Sequence, residues 1–103
     1  MVTNVFSLTC HDGKLAAGFD WALRVTAYIK QQFPGSDMEV VRNIGGPFYE
    51  LHMVTRVESL AAYDDLNKRS SADEGYQKLA SEAQEQGLFI GSSITERMYE
   101  TVS

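Results

Sequence analysis

The feature that most constrains this chain is the stretch from Lys14 to Phe33. Within it Leu15, Phe19, Ala22, Leu23, Thr26, Ile29 and Phe33 recur at spacings of three and four. That spacing makes one stripe of a 3.6-residue helix. Trp21, Val25 and Tyr28 add a second apolar strip beside the first. A helix this long and this widely apolar needs a broad apolar surface to lie on, and the flanking segments read as strands that would supply one. Residues 3–10, Thr-Asn-Val-Phe-Ser-Leu-Thr-Cys, are rich in β-branched and aromatic side chains and show no helical period. They end at His11-Asp12-Gly13, a turn signal in which Asp12 is placed to cap the helix. Pro34-Gly35 closes the helix.

Beyond that stop, residues 38–44 and 48–57 read as two strands joined by Gly45-Gly46-Pro47. Pairing Ile44 with Phe48 sets Arg42 opposite Glu50 and Val40 opposite His52, a register favoured by the opposite charges of the first pair. Ser59 is a candidate N-cap for helix from Leu60 onward. Ser70-Ser71-Ala72-Asp73 interrupts that helix, and a second segment runs from about residue 74 to 86, stopped by Gly87. Residues 58–86 carry seven acidic and three basic side chains interspersed with apolar ones, the pattern of a solvated outer face. Residues 88–100 read as a last strand opened by Leu88-Phe89-Ile90. The order is β-α-β-β-α-β. It is an α+β, ferredoxin-like arrangement, with a four-stranded antiparallel sheet and helices on one face. No linker or repeat divides residues 1–103, so one domain is expected.

Helices on one side cover one face of such a sheet. In the expected register Val41, Tyr49, Leu51 and Met53 point to one side, and Met38, Val40, Ile44, Phe48 and Val54 to the other. Both faces then carry large apolar groups. A second copy packing sheet against sheet would cover the spare one, so a homodimer is the expected assembly.

Charge limits the partners. The net charge is −5, and the nine basic residues are scattered rather than grouped. Phosphate backbones and anionic membrane surfaces need clustered Lys and Arg, so neither nucleic acid nor membrane is expected as a partner. No apolar run approaches the roughly 20 residues of a membrane span. The single cysteine, Cys10, allows no internal disulfide and no cysteine-rich zinc site. With no basic-then-apolar leader after Met1, the expected compartment is the cytoplasm.

Candidate chemistry centres on His52. At strand spacing it shares a face with Glu50 and Arg56, with Arg42 alongside in the expected register. A histidine beside a carboxylate and arginines suits a general base or an anion clamp. The plainer reading is a hydrogen-bonded histidine beside a structural ion pair. His52 and Glu50 are therefore the catalytic candidates, with Arg42 and Arg56 as ligand-binding candidates. Trp21, Tyr49 and Tyr63 are candidates to line a cavity for a flat apolar ligand, tyrosine hydroxyls fixing its orientation, or simply to pack. His11 beside Asp12 lacks metal-ligand spacing to any partner, and no metal or other cofactor is expected.

Three stretches carry a resemblance to a known family: His11-Asp12-Gly13-Lys14 leading into a long helix; Gly45-Gly46-Pro47 between two strands; and Val57-Glu58-Ser59-Leu60-Ala61-Ala62-Tyr63, followed by the Gly87–Ser92 entry to the last strand. Over nearly its whole length the chain resembles the dimeric α/β barrel superfamily. Within it, the likeness is to small proteins related to antibiotic-biosynthesis monooxygenases, NIPSNAP-type proteins and stress-responsive barrels. The resemblance implies a homodimer with a pocket between sheet and helices. It also implies either a cofactor-independent monooxygenase or isomerase acting on a small apolar or aromatic substrate, or a non-catalytic ligand-binding or stress-related dimer. The haem-degrading branch uses a helix histidine together with an asparagine and a tryptophan. Asn4 stands in a suitable first strand, but the second helical region has no histidine. The monooxygenase branch uses a tryptophan beyond the third strand, whereas Trp21 is in the first helix. Neither activity transfers residue by residue.

Overall fold

A computed structural model describes all 103 residues. The chain forms β1 (Val2–Thr9), α1 (Leu15–Gln32), β2 (Asp37–Arg42), β3 (Glu50–Val57), α2 (Leu60–Ser71), α3 (Glu74–Glu85) and β4 (Thr95–Glu100), with a 3₁₀ turn at Gly91–Ser93. The strands make one antiparallel sheet in the order β2-β3-β1-β4, so β1 and β3 are central. The helices lie against one face. This is the ferredoxin-like plan, with the second helical region split in two as the Ser70–Asp73 interruption requires. Ser59 caps α2 by accepting from Ala62 N–H, and Asp73 caps α3 by accepting from Tyr76 N–H.

The register between β2 and β3 differs by one residue from the expected one. Arg42 lies opposite Leu51, Val41 opposite His52 and Val40 opposite Met53. The turn is longer than Gly45-Gly46-Pro47. Residues 43–49 lie outside the ladder, held by Asn43 Nδ2 donating to the Pro47 carbonyl at 2.8 Å, and Gly46 supplies a left-handed φ of 78°. A one-residue slip exchanges faces. Met38 and Val40 therefore point inward with Leu51 and Met53, and Arg42 leaves the His52 face.

The inner face is apolar. Val2, Leu8, Met38, Leu51, Met53 and Val57 are buried beneath Trp21, Ala22, Val25 and Ile29 of α1 and Leu66 of α2. The buried stripe of α1 merges the two strips read from the sequence and leaves Leu23 exposed. Asp12 does not cap α1; Lys14 occupies that position without a side-chain bond. Three contacts tie α1 to the C-terminal helices. Trp21 Nε1 donates to the Leu79 carbonyl at 2.7 Å, Arg24 forks onto Glu82 at 2.9 and 3.0 Å, and Tyr28 donates its hydroxyl to Asp73.

The open face is mostly polar. Alternation and register place Thr3, Ser7, Glu50, His52, Arg56, Glu39, Thr95 and Arg97 on it, with Val5, Val41, Val54 and Tyr99 among them. The expectation of two strongly apolar faces came from the slipped register and does not hold. The last strand is also shorter than expected. Phe89 makes only an isolated bridge to Cys10, and the ladder with β1 begins at Thr95.

Candidate functional site

Between the sheet and the helices lies a cavity of about 150 Å³. Phe6, Met38 and Met53 form its floor from the sheet, and Trp21, Val25 and Ile29 form one wall from α1. Tyr63, Leu66 and Tyr76 close the other side from α2 and α3. Four uncharged polar residues, Asn4, Thr55, Asn67 and Ser70, also line it, together with one carboxylate, Glu96 on β4.

Asn4 is the most informative of these. It sits mid-strand on the inner face of β1, only 4% exposed, and its Oδ1 finds no hydrogen-bond donor in the protein. Burying an unsatisfied acceptor costs about 1–3 kcal/mol. Tyr63 donates its hydroxyl to Glu96 Oε2 at 3.1 Å across the cavity rim. Its pKa is pushed up to about 12, first by burial and then by the neighbouring carboxylate. Burial also raises the Tyr76 phenol. Both hydroxyls therefore remain protonated donors at neutral pH. Trp21 has its N–H committed to Leu79 and its ring edge-on to Phe89 at 5.3 Å, so it offers a ligand aromatic surface only.

The sequence candidates separate into three places. Trp21 and Tyr63 meet in the cavity. His52 and Glu50 meet on the open face, with His52 Nε2 3.2 Å from Glu50 Oε1, while Arg56 lies further along that face, paired with Glu39 at 2.9 Å and with Asp37 at 3.8 Å. Arg42 instead borders a surface groove between the 43–49 loop and the first turns of α1, lined also by Leu15, Phe19, Ile44 and Phe48. Tyr49 stacks edge-on with Phe48 at 5.9 Å and touches neither cavity nor groove. No three His, Cys, Asp or Glu side chains converge as metal ligands would. Cys10 is buried, and burial raises its thiol pKa, the setting of an inert thiol.

Solved structures with this architecture include an uncharacterised NIPSNAP-domain protein from Burkholderia xenovorans. It superposes with a TM-score of 0.81 at 10% identity over 100% of this chain and 96% of that one. SnoaB, a cofactor-independent oxygenase from Streptomyces nogalater, superposes with a TM-score of 0.73 at 18% identity over 99% of this chain and 93% of that one. The chain has the ferredoxin-like fold that these structures share. No protein-family model and no curated protein matches it. At these identities the likeness establishes the fold, and the site has to be read from this chain's own residues.

Asn4, Thr55, Tyr76 and Glu96 are among the cavity residues that were not sequence candidates. For Asn4 a signal existed: an amide between Val2 and Phe6, on the parity of the apolar face of a strand. For Glu96 none did, because its place at the rim depends on where β4 begins.

Proposed function

We propose that the protein binds a small aromatic molecule bearing an oxygen substituent in the cavity beneath its helices and oxygenates it without a cofactor. The unpartnered Asn4 Oδ1 beside a mostly apolar chamber carries this reading. A turn of the Asn4 side chain would bring Oδ1 to a phenolic hydroxyl and satisfy an acceptor that the fold leaves bare, while Phe6, Trp21 and Tyr76 enclose the ring. Size narrows the ligand. An apolar cavity of about this volume accommodates a benzene ring, so one ring fits the 150 Å³ chamber.

The fold shared with a cofactor-independent oxygenase supports the chemistry. Glu96 is the only carboxylate on the wall and would take the phenol proton as the Asn4 amide turns its Nδ2 toward the resulting electron-rich phenolate, which dioxygen oxidises to a quinone with release of water. One observation favours a second, non-catalytic reading: Glu96 is already engaged by the Tyr63 hydroxyl. Trp21 fluorescence during titration with phenol and hydroquinone, combined with an oxygen electrode, separates the two. Saturable quenching by phenol, with one O₂ consumed per benzoquinone formed and no hydrogen peroxide released, supports the oxygenase. Quenching without O₂ uptake supports simple binding, and no saturable quenching rejects the site. Homodimerisation through the open face is part of the proposal, supported by the fold likeness and by Val5, Val41, Val54 and Tyr99 on that face. A sedimentation-equilibrium mass of one chain would reject it. The single buried thiol suits a reducing cytoplasm, the proposed location.

A further inference from the structure

A second concave surface lies outside the cavity, on the helix side of the sheet beyond the end of edge strand β2. It is the groove of about 550 Å³ between the 43–49 loop and the first turns of α1. Small-molecule sites span roughly 300–1,000 Å³. Leu15, Ala16 and Phe19 form the helical wall, and Ile44 and Phe48 face them from the loop. Ile44 is wholly exposed and Phe48 is 72% exposed. Large apolar side chains held in water on one short loop, beside further apolar surface, mark a contact site.

Charge narrows what can lie there. Arg42 is the only charged residue of the groove, and no acidic side chain lines it. In the observed register Arg42 follows Met38 and Val40 on the inward parity of β2, opposite Leu51, at the point where the ladder ends. The chain carries fourteen acidic side chains, yet Arg42 takes part in none of its salt bridges. Arg24, Arg56 and Arg69 each hold a carboxylate. The start of α1, with no side-chain cap and no acidic residue in its first turn, adds positive potential at the Leu15–Ala16 end. Asn43 is the one other polar side chain on the wall. Its Nδ2 is committed to the Pro47 carbonyl and its Oδ1 to His52, so it offers a ligand nothing.

We propose that this groove binds an amphipathic carboxylate: an unbranched aliphatic acid whose head pairs with Arg42 and whose chain lies between Phe19, Ile44 and Phe48. The guanidinium fork matches a carboxylate in two parallel hydrogen bonds. One guanidinium balances a monoanion, whereas a phosphate dianion would keep a charge unmatched. Beyond Arg42 the walls are apolar on both sides and present no free polar side chain, which suits a chain without further polar groups. The groove shares no lining residue with the cavity beneath the helices, so either site can fail without the other. It also leaves the open face of the sheet available to a second copy.

The test is calorimetric titration of the full chain with hexanoate, octanoate and decanoate at neutral pH. One site per chain is expected, with affinity rising about two- to fourfold per added methylene, the upper figure being that of a fully buried one. Arg42→Gln should weaken octanoate about 10-fold, the low end for a hydrogen bond to a charged group. Ile44→Ser/Phe48→Ser should abolish the gain with chain length. All three positions are exposed, and circular dichroism confirms that the variants are folded. In nitrogen–proton correlation spectra octanoate should move the Gly45 and Gly46 amides and leave the Trp21 indole in place. The proposal is overturned by the absence of saturable heat, by unchanged affinity in Arg42→Gln, by octylammonium binding as tightly as octanoate, or by shifts at Trp21 with none at Gly45 and Gly46. A sedimentation mass that falls by half in the double variant would also overturn it, since a second copy would then cover the groove.

Discussion

Replacing Asn4 with leucine should make the protein more stable and disable its cavity. Asn4 is 4% exposed on the apolar face of a central strand, and its Oδ1 has no donor in the protein. Removing that buried acceptor recovers about 1–3 kcal/mol. The larger side chain also buries additional apolar surface, worth about 0.8 kcal/mol per methylene. Overpacking normally opposes such a change, at about 1–3 kcal/mol, but here a chamber of about 150 Å³ adjoins the site and can receive the added atoms. The balance is a gain of about 1–2 kcal/mol. Urea unfolding should show the midpoint rising by about 1 M at unchanged slope, and the melting temperature should climb by roughly 5–10 °C. Titration of the same variant with hydroquinone should show no saturable Trp21 quenching. A folded Asn4→Leu protein less stable than wild type would refute the reasoning, because it would mean that the amide is satisfied and structural. A stabilised variant that still binds hydroquinone would refute its assignment to the ligand. Retaining a costly polar group in a core is understandable where function needs it.

Two further outcomes follow from other parts of the structure. A methyl group at Gly75 would collide with the Tyr28 hydroxyl and ring, so Gly75→Ala should cost about 1–3 kcal/mol by overpacking; chemical denaturation should show much of that loss recovered in Gly75→Ala/Tyr28→Ala, and no recovery would contradict the contact. Tyr63 holds its proton to about pH 12 in the folded state and to about pH 10 when unfolded, so the folded form binds more protons between those values; stability is complete below pH 10 and falls as pH rises toward 12. Tyr63→Phe should flatten that alkaline limb in denaturation curves measured from pH 9 to 12, and an identical limb in both proteins would count against the burial of the phenol.

Local chemistry made most of the architecture legible. The period of α1, the Ser59 cap, the Ser70–Asp73 interruption and the β-branched runs are each decided within a few residues of chain. The physical reasons act over the same range: a side chain satisfies a nearby N–H, or an apolar spacing matches a helical or extended repeat. Hence the element order and the ferredoxin-like plan followed from the residues alone. Trp21 and Tyr63 were candidates to line a cavity or to pack because large aromatic side chains on buried helix faces have few other places to go, and both line it, whereas Tyr49, a candidate on the same ground, lies outside it.

Register and convergence were decided only in three dimensions. Arg42 opposite Glu50 is a sound pair by charge, yet Asn43 bonds to the Pro47 carbonyl and lengthens the turn, and one residue of slip sends Arg42 to the other face. That slip also turned Met38 and Val40 inward and left the open face polar. The same alternation aligned Ser7 with His52, forty-five residues apart, while Asn43 reached the far side of the ring from outside the ladder. The cavity likewise draws on seven separate elements, joining Asn4 of β1 to Glu96 of β4 and to the tyrosines of α2 and α3. Composition and periodicity determine which face of each element is apolar. How the faces meet, and which polar groups they enclose, depends on packing between residues distant in sequence, so the ferredoxin-like plan was visible in the chain while its candidate site emerged only from the folded sheet.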